Sequence, residues 1–156
     1  MNSWHDAKNL GNLLHLRYLG LKRTGMPELP KEIGALKFLQ TLHLVDNHFT
    51  KELPTSLGQL TNLVCLHAWG SNDWGTSMPN GIIQKLTSLE ELMIECEGDK
   101  FKELRNLSEL RVLTIKVIGM NQSMLSDLLQ SVGNLHKIKS IKLEGRHSVF
   151  SSLYDR

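Results

Sequence analysis

The sequence lacks the features that mark several common classes of protein. It has only two cysteines, Cys65 and Cys96, which are too few for a disulfide framework and favour a reducing, cytoplasmic setting. No apolar run is long enough to cross a bilayer, and residues 1–9 lack the apolar core of a signal peptide. We therefore expect a cytoplasmic protein that does not bind membranes.

An excess of charge of one sign is also missing. The 18 basic and 16 acidic side chains leave a formal net charge of +2, so no overall field directs the chain toward nucleic acid or anionic lipid. Hydrophobic residues make up 40% of the sequence and charged residues 22%, which is typical of a folded soluble chain rather than a disordered one.

The dominant pattern is a frame of apolar residues, Leu-x-x-Leu-x-x-Leu-x-Leu, that recurs along the chain. Its six copies start 23, 24, 26, 21 and 28 residues apart, at Leu13, Leu36, Leu60, Leu86, Leu107 and Leu135. A further apolar residue stands three positions before each copy, at Leu10, Ile33, Leu57, Ile83, Leu104 and Val132. This phase predicts about six leucine-rich repeats over 10–145, with an N-terminal extension at 1–9 and a tail at 146–156.

The spacing within the frame predicts the local structure. Its last part, Leu-x-Leu, has the period of a β-strand, so Leu19 and Leu21 point inward and the residue between them points outward. The three-residue steps before it fit a turn of 3₁₀ helix. In later copies the inward strand positions are filled by Leu42, Leu44, Leu66, Leu92, Ile94, Leu113 and Ile115.

These elements predict an α/β leucine-rich-repeat solenoid. No copy can bury its apolar edge alone, so neighbouring copies stack and their short strands form a parallel sheet. Strands lie about 4.8 Å apart whereas helices need roughly 8–10 Å, which puts the strands on the concave face. Four prolines should keep the convex face irregular or 3₁₀, apart from a helix near 123–132, capped by Ser123 and stopped at Gly133.

Several segments resemble one family in particular. The resembling text includes Glu-Leu-Pro-Lys-Glu-Ile-Gly from residue 28 and lies at 13–24, 28–42, 59–66, 86–92 and 107–115. It is similar to the repeats of plant intracellular nucleotide-binding leucine-rich-repeat receptors, the disease resistance proteins, and most similar to the cereal type with an N-terminal coiled coil. The resemblance implies recognition of a protein in innate immunity: a pathogen effector, a guarded host protein or the receptor's own nucleotide-binding domain.

The sequence departs from that family outside the repeats. It contains no Gly-x-x-x-x-Gly-Lys-Ser/Thr phosphate loop and no preceding coiled coil, so we expect no cofactor and no small-molecule substrate. We expect a fragment or a truncated receptor that starts and ends inside repeats. Two alternatives stay open. The chain is either a generic repeat scaffold or part of the ectodomain of a plant cell-surface receptor kinase. Residues 46–60 also resemble the repeats of such kinases, except at Lys51 and Leu53.

Alternation along the strands predicts the side chains that line the concave face. Along the predicted sheet the outward side chains are basic in the first strand, aromatic and imidazole in the centre, and acidic in the fourth strand. The last two strands carry a mixture. The acidic band interrupts any basic stripe and argues against nucleic-acid binding. We expect partner-binding residues at Tyr18, Lys22, His43, His67, Trp69, Met93, Glu95 and Lys116.

Two histidines and a cysteine lie close together in this predicted surface. His43 and His67 occupy the same column on adjacent strands, with Cys65 nearby. Because spacing identifies no complete ligand set, we interpret them as exposed sheet residues and expect no metal site. No orienting acid or oxyanion site accompanies Cys65, so we also expect no catalytic residue and no enzyme activity.

Asn47 and Trp69 have predicted roles of their own. Asn47 lies where a repeat asparagine uses its amide to satisfy backbone groups in the turn, with Thr24 and Ser71 as weaker substitutes in other copies. Trp69 points outward in the middle of the sheet, where two interpretations are equally favoured. It is either an interface anchor or half of a local cluster with Trp74.

Overall fold

A computed structural model of the protein describes residues 4–70, 76–96, 98–117 and 119–145. Within these ranges the strands form one parallel sheet, in which each strand pairs with its neighbour in sequence. The strands are β1 (Tyr18–Gly20), β2 (Thr41–His43), β3 (Cys65–Ala68), β4 (Glu91–Glu95), β5 (Val112–Val117) and β6 (Ser140–Gly145). This arrangement confirms the predicted leucine-rich-repeat solenoid.

Short 3₁₀ segments occupy the opposite side of the solenoid, as the three-residue steps predicted. Pro30 and Pro54 stand immediately before two of them, with φ angles of −62° and −68°. Proline suits this position because its φ is already near the helical value and its missing N–H is not needed there. The segments are Trp4–Asn12, Lys31–Ala35, Thr55–Gln59, Ile83–Lys85 and Gly98–Asn106.

The predicted helix is present as α1 (Gln122–Val132), but its cap differs from the prediction. Asn121, not Ser123, is the N-cap, and its side-chain oxygen accepts a hydrogen bond from the Met124 amide at 2.8 Å. Ser123 already lies in the first turn, where its own amide is one of the donors that need a cap. Gly133 ends the helix as predicted. No helix in the described ranges is long and apolar enough to cross a membrane.

The core lies between the sheet and the 3₁₀ segments. The frame leucines of the middle copies are completely buried, as are Leu42, Leu66, Leu92 and Leu113 on the inward side of the strands. In the first repeat Leu19 and Leu21 are only partly buried, and in β6 Ile141 and Leu143 are 41% and 40% exposed. The difference follows from stacking, because a repeat is covered on both sides only where the described solenoid continues in both directions.

Candidate binding surface on the concave face

The strand register aligns the outward side chains in rows across the sheet. In one row Cys65 of β3 pairs with Thr41 of β2 and Glu91 of β4. In the next row His67 pairs with His43 and Met93. The ladder continues past the end of β3, where the Asp46 amide donates to the Trp69 carbonyl at 3.0 Å. The concave face is therefore a grid in which each outward side chain of β2 to β5 has known neighbours on both sides.

The predicted partner-binding residues on this face differ in their exposure to solvent. Tyr18 is 58% exposed, and Lys22 is exposed beyond the end of β1, with its ammonium 3.9 Å from the Asp46 carboxylate. The other predicted partner-binding residues are half-buried between their neighbours; they are His43, His67, Trp69, Met93, Glu95 and Lys116. The face is consequently a shallow surface on which the predicted residues are most exposed at the first, edge strand.

A continuous line of rings crosses the first three strands. The Tyr18 ring meets the His43 ring edge-on, with centroids 5.4 Å apart, and the Tyr18 hydroxyl lies 3.4 Å from His43 Nδ1. His43 and His67 are stacked, with centroids 4.4 Å apart and planes 5° from parallel. We call Tyr18, His43 and His67 the ring line. It presents flat, partly apolar groups to solvent on the sheet.

Cys65 and Glu91 lie against the ring line. The Cys65 sulfur is 3.7 Å from His43 Nε2 and 3.4 Å from His67 Nε2. Glu91 Oε1 is 2.7 Å from His67 Nε2. The sequence placed Glu91 on the outward side of β4 but did not connect it with these residues. The available signal was its position in the frame, directly across from Cys65; its contact with His67 runs diagonally between two rows and depends on side-chain rotamers.

Burial and charge decide the protonation of this cluster. Burial raises the pKa of the Cys65 thiol to about 11, and the nearby Glu91 carboxylate adds to the effect. Burial, with a smaller contribution from His67, lowers the pKa of His43, while Glu91 opposes that change. Cys65 is therefore a protonated thiol at neutral pH, unlike the thiolate that a nucleophilic cysteine requires.

The raised pKa leads to a testable expectation for the reactivity of Cys65. With EDTA present at pH 8, iodoacetamide should alkylate Cys65 about tenfold more slowly in the folded chain than in urea, because a roughly hundredfold smaller thiolate fraction is only partly offset by the greater nucleophilicity of the more basic thiolate. The folded rate should keep rising up to about pH 11. Mass spectrometry of the peptide containing Cys65 measures both rates. Equal rates, or a folded rate that levels off near the ordinary cysteine pKa, would contradict the assignment.

Trp69 lies beside a cation on the same face. The Lys116 ammonium is 4.6 Å from the centroid of the Trp69 ring, within range of a cation–π contact. In the ladder Lys116 pairs with Glu95 on one side and Glu144 on the other. The other predicted neighbour of Trp69, Trp74, lies outside the described residues. The half-buried tryptophan therefore has a charged side chain over its ring on this face.

Asn47 lies below this face in the turn that follows β2 and is 1% exposed. Its side-chain oxygen accepts hydrogen bonds from the Thr24 amide at 3.0 Å and the Thr24 hydroxyl at 2.8 Å. Its side-chain nitrogen donates to the Leu21 carbonyl. Asn47 thus joins its turn to that of the preceding repeat, and Thr24 is its partner. Ser71 lies outside the described residues.

The stacked repeats, the parallel sheet and the open concave face define a leucine-rich-repeat solenoid. Residues 2–154 match the family described as leucine-rich repeat region, and the chain belongs to that family. Its relatives include disease resistance RPP13-like protein 2 of Arabidopsis thaliana, 29% identical over 141 residues. Disease resistance protein RPP13 of the same plant is 33% identical over 122 residues. These relatives confirm the resemblance to plant disease resistance proteins.

The matches cover most of this chain but a small part of the relatives. The two Arabidopsis alignments cover 76% and 70% of the chain, and only 16% and 14% of those proteins. Among solved structures, the leucine-rich-repeat protein LIC12759 of Leptospira interrogans superposes with a TM-score of 0.62 at 27% identity. That superposition covers 92% of this chain and 41% of the other. The chain thus corresponds to a repeat region within longer proteins.

Proposed function

We propose that this chain is a protein-recognition module of a plant disease resistance receptor and that its concave face binds a protein. The observation that carries the proposal is the ring line, extended by Trp69 and Met93 on neighbouring positions of the grid. Large flat side chains on the exposed face of a sheet fill no core, and such groups are common anchors in protein interfaces. Lys22 is exposed beyond β1, while Glu95 and Lys116 are a half-buried pair of opposite charge on β4 and β5.

The family relationship supports a role in innate immunity. In our proposal the bound protein is a pathogen effector, a host protein that the receptor guards or the receptor's own nucleotide-binding domain, and the receptor acts in the cytoplasm. The repeats 10–145 would be the recognition unit, in a receptor of the cereal coiled-coil type. The protonated Cys65 and the shallow surface favour binding rather than catalysis.

The size of the face limits how much of a partner it can hold. Six strands at about 4.8 Å span roughly 24 Å, and three outward positions add about 17 Å along each strand. The product is on the order of 400 Å², about half of the roughly 800 Å² that one side of a standard interface contributes. We therefore propose that the face is one part of a larger site in the longer receptor.

Trp69→Ala is the test of this proposal. In the intact receptor it should weaken binding of a partner captured with the wild-type protein by about 2 kcal/mol or more, the usual loss for an anchoring tryptophan. Biolayer interferometry measures the change in Kd. Phe38→Ala is the matched control, because Phe38 is 50% exposed and lies outside the strands, so its loss should leave Kd unchanged.

Two outcomes would contradict the proposal. In the first, Trp69→Ala lowers the unfolding midpoint substantially and leaves Kd unchanged, which would make Trp69 a packing residue. In the second, Trp69→Ala and Phe38→Ala weaken binding equally, which would place the site away from the concave face.

A further inference from the structure

Four side chains with metal-binding atoms meet at one point of the concave grid. Cys65 and His67 are two positions apart on β3, while His43 is beside His67 on β2 and Glu91 is beside Cys65 on β4. One donor atom from each of His43, Cys65 and His67 lies within 4.8 Å of the other two. All four side chains are half-buried, so an ion could reach them from solvent.

The distances within this cluster suit a tetrahedral ion. Zinc binds thiolate at about 2.3 Å and imidazole at about 2.0–2.1 Å, which separates sulfur from nitrogen by about 3.6 Å at a tetrahedral angle. The sulfur of Cys65 is 3.7 Å from Nε2 of His43 and 3.4 Å from Nε2 of His67. Both distances agree with the expected separation to about 0.2 Å.

Glu91 and Tyr18 complete the surroundings of these three groups. Glu91 Oε1 is 2.7 Å from His67 Nε2, close enough to replace that hydrogen bond by a bond to a shared ion. Tyr18 OH contacts His43 at Nδ1, 3.4 Å away, which leaves Nε2 of that ring available. An outer contact on the second ring nitrogen is the usual way in which a histidine ligand is oriented.

We propose that His43, Cys65, His67 and Glu91 bind one Zn²⁺ ion on the concave face. Two imidazoles, one thiolate and one carboxylate form a ligand set that zinc accepts in tetrahedral geometry. The sequence placed His43, Cys65 and His67 close together, but we expected no metal site because spacing identified no complete ligand set; Glu91 meets His67 diagonally across two rows, a contact that the frame does not predict. The inference does not depend on the identity of the protein partner.

Binding changes the side chains but not the sheet. The Cys65 thiol gives up its proton to solvent as the Zn–S bond forms, and each histidine binds the ion through a neutral imidazole Nε2. The two parallel rings must tilt toward each other, because the lone pairs of parallel rings do not converge on one ion. Both rings are half-buried rather than fully enclosed, and we expect them to rotate when the ion binds. The strands themselves keep their spacing.

The experiment is a calorimetric titration of the full chain with ZnCl₂, repeated with Co²⁺ followed by absorbance. We expect one ion per chain and, with Co²⁺, the ultraviolet charge-transfer band of a cobalt–thiolate bond. Cys65→Ser should abolish that band and weaken Zn²⁺ binding at least about 100-fold, more than the loss of an outer contact. The double variant His43→Gln/His67→Gln should weaken binding at least as much.

Matched controls separate this site from incidental binding. Cys96→Ala removes the other cysteine, and His136→Gln removes an exposed histidine in the turn after α1; both should bind Zn²⁺ as the wild type does. Circular dichroism checks that each variant is folded. Absence of stoichiometric binding would overturn the proposal. So would Zn²⁺ affinity or a cobalt–thiolate band that survives in Cys65→Ser, or that is lost in folded Cys96→Ala.

Discussion

Leu66→Ala should lower the free energy of unfolding by about 2–5 kcal/mol. Leu66 is completely buried in the middle of the sheet, with Leu42 and Leu92 paired beside it on the neighbouring strands. Removing its side chain loses apolar burial and leaves a cavity that the repeats packed on either side cannot close. Urea unfolding of the wild type and the variant, followed by circular dichroism, measures the difference.

Leu129→Ala is the matched control for this change. Leu129 is 56% exposed on α1, and alanine is the better helix former, so the free energy of unfolding should change by no more than about 0.5 kcal/mol. Comparable losses in the two variants would mean that the inward side of β3 is not the centre of the core.

Asn47→Ala should cost about 2–4 kcal/mol of stability, although it removes no apolar contact. The substitution leaves the Thr24 amide and the Leu21 carbonyl without their partner in a partly buried turn, where Asn47 itself is 1% exposed. Each buried polar group that loses its hydrogen bond costs about 1–3 kcal/mol. The same urea experiment measures the effect.

Asn62→Ala provides the comparison. The Asn62 side chain also donates to a backbone carbonyl of the preceding repeat, that of Lys37, at 2.8 Å, but this contact is exposed. Water can replace an exposed hydrogen bond, so the expected loss is about 0.5 kcal/mol or less. If Asn47→Ala is equally mild, the turn obtains its hydrogen bonds elsewhere and Asn47 does not hold the repeats together.

The sequence by itself determined the architecture. Six copies of one apolar frame require a shared core, and the two-residue period at the end of each copy requires strands that alternate inward and outward. Leu42, Leu66, Leu92 and Leu113 could therefore be assigned to the core, because burial follows directly from a local period. The proline positions likewise predicted 3₁₀ segments rather than long helices on the convex face.

Only the tertiary structure decided which outward side chains meet. The copies differ in length by up to seven residues, from 21 to 28, yet the frame keeps Glu91 opposite Cys65; the contact of Glu91 with His67 in the next row is diagonal and depends on side-chain rotamers. The stacking of His43 on His67 and the cation over Trp69 depend further on side-chain rotamers. The N-cap of α1 was also decided by the structure. Asn121 and Ser123 are both residue types that suit an N-cap, and the backbone geometry selected Asn121. Local periodicity determines which face a residue occupies, whereas contacts between repeats are set by packing over more than twenty residues.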